Sequence, residues 1–237
     1  MPSPISRRGH EKDKVMFKSK TIVAAVAFCV APFAATSAAQ AQDQGPYGVV
    51  RAGVAIDGDL KSRDQAPVIL NDDIDFKPGF TGEVGVGYKI SNFRLEGTVG
   101  YTTAKIDNER SGGGFNPDDR VRNLNLGLSA YADIPVSDTV VPYIGGGIGA
   151  SRVDARLIRS FGTPAAVARF DDKDWGFQWH LDAGVGIKAA ERTTIELGAR
   201  YTRTSSLRVD GLAGALPGEY EPRLSSVSAM IGIRQGF

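Results

Sequence analysis

The sequence predicts an all-β chain: an eight-stranded antiparallel up-and-down transmembrane β-barrel, closed by pairing of its first and last strands. Three observations predict it. Eight stretches alternate apolar with polar or small residues at every second position, which is the period of a strand with two unlike faces. The connections between them run long, short, long, short, long, short, long. An up-and-down barrel with tight turns at one end and extended loops at the other has that asymmetry, and a sandwich has no need of it. Each alternating stretch is about ten residues, which at ~3.3 Å per residue and a tilt near 45° covers ~23 Å, close to the ~25 Å apolar band of such barrels.

The N-terminus reads as an export signal. Phe17-Lys18-Ser19-Lys20 is a basic start, Thr21–Phe33 an apolar run, and Ala39-Gln40-Ala41 a small-x-small cleavage site. The expected division is residues 1–41 as N-terminal extension and cleavable signal peptide, with Ala39 and Ala41 marking cleavage, and residues 42–237 as the barrel domain. Met16 is an alternative start. Cys29, the only cysteine, lies in the apolar run after Phe28, where lipid attachment would want a small residue. The expected mature chain therefore has no thiol chemistry. The first 41 residues hold six basic and two acidic residues, leaving 22 Lys and Arg against 25 Asp and Glu, a net charge near −3. That balance gives no hint of nucleic-acid binding.

In chain order, Tyr47–Ile56 sets Val50, Ala52, Val54 and Ile56 against Arg51 and Gly53. Asp57–Lys77 is aperiodic and Asp-rich, so it reads as the first long loop. Phe80–Ile90 alternates Phe80, Val84, Val86 and Tyr88 against Glu83, Gly85, Gly87 and Lys89, and Ser91-Asn92 is a tight turn. Phe93–Thr103 returns with Leu95 and Val99 opposite Arg94 and Glu96. Lys105–Asp119 is the second loop. Asn123–Ile134 sets Leu124, Leu126, Leu128, Ala130, Ala132 and Ile134 against Asn123, Asn125, Ser129, Tyr131 and Asp133. Pro135–Asp138 turns into the glycine-rich Pro142–Arg152, and Asp154–Asp174 reads as a third long, charged loop. Trp175–Lys188 opposes Phe177, Trp179 and Leu181 to Gln178, His180 and Asp182. After the turn at Ala190–Arg192, Thr193–Arg203 opposes Ile195 and Leu197 to Glu196 and Arg200. Ser205–Tyr220 is the fourth loop. The last stretch, Ser225–Phe237, faces Val227, Ala229, Ile231 and Ile233 away from Ser228, Gly232 and Arg234.

Alternation alone also fits a lipocalin-type barrel, with its apolar face inside. The composition of the second face decides. It carries charges of both signs at mid-strand: Arg51, Glu83, Arg94, Glu96, His180, Asp182, Glu196, Arg200 and Arg234. Such charges suit a narrow polar interior where opposite signs pair, because isolated buried charges cost several kcal/mol each. Glycines on the same face make room for long side chains opposite. Aromatic residues gather near strand ends: Tyr88 and Phe93 by the first turn, Trp175, Phe177 and Trp179 at one rim, Tyr47 and Phe237 at the other, as in two interfacial girdles.

On these patterns, and on Pro142–Ala150 and Gly184–Tyr201 in particular, the chain over Tyr47–Phe237 resembles the small eight-stranded outer-membrane barrels of the OmpA/OmpX type, in the opacity-protein-like, porin-like branch. The resemblance implies a location in the outer membrane of a Gram-negative cell envelope, with both termini periplasmic and the long loops extracellular. It implies outer-membrane lipid as surroundings, and barrel-assembly machinery and periplasmic chaperones as partners during biogenesis. It makes Ile231, Ile233 and Phe237 a C-terminal assembly signal. Gln235 stands where the family's last strand carries an aromatic or apolar residue.

No chemistry-bearing motif emerges. His180 is the only histidine after the signal and offers too few ligands for zinc. Barrels that modify lipid A set a histidine beside a serine and an acid, whereas His180 is followed on its face by Asp182 with no serine beside it. Asp72, Asp73 and Asp75 lack the spacing and glycine of a calcium loop. Gly145–Gly149 opens no helix and is no phosphate loop. No catalytic residue, metal site or cofactor is expected. The expected function is a monomeric barrel with a structural or surface-interaction role through four external loops and a largely plugged polar lumen. The alternative is a small gated channel for ions or small solutes.

Overall fold

Period-two alternation becomes an eleven-stranded antiparallel sheet. The computed structural model describes residues 44–62, 74–109, 111, 114, 119–160, 167–207, 209–213, 216–220 and 222–237, all within the unit Ala35–Phe237. The signal segment with Cys29, Ala39 and Ala41, and also Asp72 and Asp73, lie outside the described residues. The strands are β1 (Gly45–Ser62), β2 (Ile74–Asp75), β3 (Gly79–Ile90), β4 (Phe93–Lys105), β5 (Arg120–Asp133), β6 (Val140–Ser160), β7 (Val167–Ala190), β8 (Thr193–Ser205), β9 (Val209–Ala213), β10 (Leu216–Tyr220) and β11 (Pro222–Gly236).

Eight of them close a barrel in the order β1-β3-β4-β5-β6-β7-β8-β11, and β1 pairs back onto β11 with Tyr47 opposite Gly236 and Ala52 opposite Ile231. Closure leaves the barrel without an edge, so every ladder group finds a partner away from water. At the first tight turn Ser91 takes a φ of 56°, the left-handed geometry that two-residue hairpins need. A register shift between Ala55 and Asp57 marks a bulge in β1 against β11.

The apolar face points outward. Val50, Val84, Val86, Leu95, Leu128, Ile144, Ile148, Leu181, Ile231 and Ile233 are all exposed, while Arg51, Glu83, Arg94, Glu96, His180, Asp182, Glu196 and Arg234 on the other parity are buried. This inversion of the ordinary rule identifies a barrel whose outside is solvated by hydrocarbon. Tyr88, Phe93 and Phe237 ring the turn end, and Phe80, Tyr101, Trp175 and Phe177 the loop end, all exposed. Tyr47 corrects the expected girdle: it is 3% exposed, on the inward parity with Val49 and Arg51.

Two expected loops are largely sheet. Asp154–Asp174 is no open loop, because β6 and β7 stay paired from Val153 opposite Asp174 up to Ser160 opposite Val167. Its dense charge hides the alternation, but the ladder is held by backbone groups and needs no apolar face. Ser205–Tyr220 holds the β9–β10 hairpin, which pairs through β9 with Ala168–Phe170 of β7. The first loop also departs from expectation: β1 and β11 continue pairing to Ser62 and Pro222, and β2 folds back onto β1. Phe76 then bridges to Ile106, and its N–H donates to the Gly58 carbonyl at 3.0 Å. Ile74, Phe76, Ile106, Val121, Val153 and Leu207 form a buried apolar cluster at the loop end. Each large apolar side chain buried there contributes roughly 1.5–3 kcal/mol.

Candidate functional site

Inward parity on eight strands brings charges together that are far apart in sequence. Arg51 of β1 is the hub. Its Nη1 lies 2.8 Å from Glu83 Oε1 of β3 and 2.8 Å from Glu96 Oε2 of β4, and its Nε donates to Glu196 Oε2 of β8 at 2.9 Å. Glu196 also accepts from Arg94 Nη1 and from Arg234 Nε, each at 3.0 Å. Arg94 Nε donates to Asp133 Oδ1 at 2.9 Å, and Lys89 Nζ lies 3.4 Å from the other oxygen of Asp133. Arg200 donates from Nε and Nη2 to the two oxygens of Asp182 at 2.7 and 2.8 Å, a two-pronged pair, and also engages Glu83. The set balances: Arg51, Lys89, Arg94, Arg200 and Arg234 against Glu83, Glu96, Asp133, Asp182 and Glu196. Each charge is desolvated, so the layer is tolerable only because its members pair.

Three tyrosines fill the space between the charges. Tyr47 Oη donates to Glu96 Oε1 at 2.9 Å and Tyr131 Oη to Asp182 Oδ2 at 2.7 Å. Tyr131 and Tyr143 meet edge to face at 5.9 Å, and the Arg94 guanidinium lies 4.7 Å from the first ring centre and 5.1 Å from the second. Their rings rest on glycines: a Cβ on Gly145 would collide with the Tyr131 ring, and one on Gly184 with the Tyr143 hydroxyl. The absence of side chains at these two positions is therefore part of the site. With Tyr143 from β6, every barrel strand contributes to this layer.

His180 sits at its loop-side margin, 3% exposed. Its Nε2 is 3.0 Å from Ser129 Oγ and 3.8 Å from Asp182 Oδ2. The expectation that no serine lies beside His180 is thus corrected. Ser129 comes from β5, across a lumen-side gap that one strand's spacing does not show. Further toward the loops the inward face turns neutral, with Thr98, Asn123, Asn125, Gln178, Thr202 and Ser228, and surrounds a cavity of about 60 Å³.

All nine charged and imidazole residues singled out from sequence lie in or beside this network. Lys89 was already placed with the charges of the inward face, but sequence reasoning left Asp133, Tyr47, Tyr131, Tyr143 and Ser129 out of the network. Parity alone puts each of these on the inward face, and that signal was available; the partner across the lumen was not. Ile231 and Ile233 are exposed on the outward face of β11; Phe237, just past its end, is also exposed, and its N–H closes onto the Pro46 carbonyl at 3.1 Å. Gln235 is also outward, but at the turn end, where it accepts from Thr193 Oγ1 at 2.7 Å.

Comparison with known proteins places this geometry. A model of the outer membrane protein beta-barrel domain matches residues 22–234. An uncharacterized protein of Brucella abortus (strain 2308) is 28% identical over 155 residues, covering 56% of this chain and 55% of that protein, so the match spans about half the length of the relative. Neisserial surface protein A superposes with a TM-score of 0.50 at 19% identity, covering 81% of this chain and 99% of that one. The outer membrane protein OprG from Pseudomonas aeruginosa gives a TM-score of 0.49 at 13% identity, with coverages of 83% and 98%.

Proposed function

The chain belongs to the outer membrane protein beta-barrel domain family, and on that premise we propose that it is a structural or surface-interaction barrel with a lumen closed by its own charges. The observation that supports this reading is the balanced layer of ion pairs to which every barrel strand contributes a charge or a tyrosine. An eight-stranded interior is only just wide enough for side chains to fill, and tyrosines and arginines fill it here. The interaction role then falls to the loop end. In this reading the termini and tight turns are periplasmic and the loops face outward. Outer-membrane lipid surrounds the monomer, and the assembly machinery reads Ile231, Ile233 and Phe237.

The reading is non-enzymatic. In a serine–histidine–acid relay the acid orients one imidazole nitrogen while the other takes the serine proton. Here Ser129 and Asp182 approach the same nitrogen of His180, and its Nδ1 has no protein partner.

Planar-bilayer recording of purified monomer tests the closed lumen. The expected result is little steady conductance; sustained, ion-selective conductance would establish the gated channel instead. Fractionation tests the location: recovery as a soluble periplasmic protein would overturn it.

A further inference from the structure

The loop-side half of the lumen has a different chemistry from the charge layer, and the plug reading leaves it without a role. Its cavity of about 60 Å³ runs from a floor at Glu83, His180 and Arg200 to a roof at Phe76, Val121 and Leu224. At ~10–15 Å³ for each water-sized occupant, it has room for about four to six water molecules. The lining reaches the exposed Asp57 and Lys77 beside the β1 bulge, which gives it a route to the surface.

Two buried polar groups on its lining have atoms without a protein partner. Gln178 is 6% exposed with Oε1 unmatched, and His180 is 3% exposed with Nδ1 unmatched. The first is an acceptor; the second takes either role according to its tautomer. The wall between floor and roof is neutral: Thr98, Asn125, Thr202, Ser226 and Ser228 offer hydroxyls and an amide. The floor charges are already engaged, Arg200 with Glu83 and Asp182, and Glu83 with Arg51. Beyond the exposed mouth at Asp57 and Lys77, an ion that entered would meet no free counter-charge on the lining and would lose its hydration.

We infer that this chamber is a binding site for a small uncharged solute of about four non-hydrogen atoms that carries an N–H or O–H donor, of the primary-amide or diol class. The donor goes to Gln178 Oε1 and a carbonyl or hydroxyl oxygen to His180 Nδ1–H, displacing the water that otherwise fills the space. The inference needs the chamber alone and stands whether or not the barrel conducts.

Three planar solutes of equal size separate the requirements: acetamide is neutral with a donor, acetone neutral without one, acetate charged. His180 is the only histidine in residues 42–237, so histidine-labelled full-length protein in micelles gives one imidazole reporter for the barrel. Acetamide is expected to shift that resonance saturably at about millimolar concentration, a realistic affinity for four atoms. Acetone and acetate are expected to bind at least about tenfold more weakly, since each leaves a buried polar group unmatched or a charge uncompensated. Gln178→Leu should abolish saturation. Gly127→Ala should weaken it too, and this variant has room to fold: its Cβ would meet Thr98 Oγ1 at 3.4 Å and His180 Cε1 at 4.0 Å, ordinary contacts that narrow the chamber. A linear response, equal responses to the three solutes, or saturation unchanged in both variants would show that the chamber holds only water.

Discussion

The turn-side and loop-side halves of this lumen share one wall, one strand alternation and one diameter, yet they are built on opposite principles. The turn side packs long charged and aromatic side chains against glycines, and its carboxylates are shared among cations: Glu196 alone is contacted by Arg51, Arg94 and Arg234. The loop side uses short neutral groups, such as the Ser151 hydroxyl held between the Asn123 and Asn125 side-chain amides, with a cavity among them and an apolar cap above. The difference teaches where cooperativity lies. Removing one member of the charged half takes a buried partner from several others at once, whereas removing a member of the neutral half costs one hydrogen bond.

Four substitutions sharpen or break that contrast, each read from urea unfolding in lipid vesicles and from heat-modifiable migration. Glu196→Ala has the largest expected effect: three arginines lose a buried partner, at roughly 3–5 kcal/mol. Next comes Arg200→Ala. Glu83 keeps Arg51, whereas Asp182 is left with the Tyr131 hydroxyl and no arginine, so the loss should sit at the lower end of the cost of breaking a buried pair, about 3 kcal/mol. In bilayers that variant should stay silent if the charges are a static plug; altered opening frequency or selectivity would mean a gate. Ile231→Asp places a charge on the lipid face, where Arg or Lys at mid-membrane costs roughly 2–4 kcal/mol and Asp less. Combined with Ile233→Asp it should block insertion, and normal folding of the double variant would refute the outward face of β11. Asn125→Ala should cost least, about 1 kcal/mol for one neutral hydrogen bond. A cost matching that of Glu196→Ala would erase the distinction between the halves.

The barrel was legible in the sequence because parity is local. Each inward residue, from Arg51 to Arg234, is named by counting twos along its own strand, and the tight turn at Ser91-Asn92 carries turn chemistry. What was not legible depends on the register between strands. Nothing in β5 alone says that Ser129 meets His180 or that Tyr131 meets Asp182; the pairs meet over Gly147 and Gly145 of β6, which lie between them in the ladder and have no side chain to keep them apart. Tyr47 was assigned to a rim from its position near a strand end, although its own parity puts it with Arg51; the hydroxyl has a carboxylate to reach inside. The β6–β7 extension was hidden because alternation signals a boundary between two solvents, and a ladder that leaves the apolar band has no such boundary to record.

That extension has a consequence for stiffness. Beyond Trp175 the β6–β7 ladder runs on through eight residue pairs, ~26 Å at about 3.3 Å per residue. The β9–β10 hairpin stiffens it from the side, so four strands stand together past the hydrocarbon zone. A free coil of the same length would have to surrender roughly 1–2 kcal/mol of backbone entropy for each residue that a contact immobilised. Here that freedom is already gone before any encounter. The barrel thus carries, beyond its apolar band, a four-stranded extension whose backbone is committed to ladder bonds as far as Ser160 and Val167.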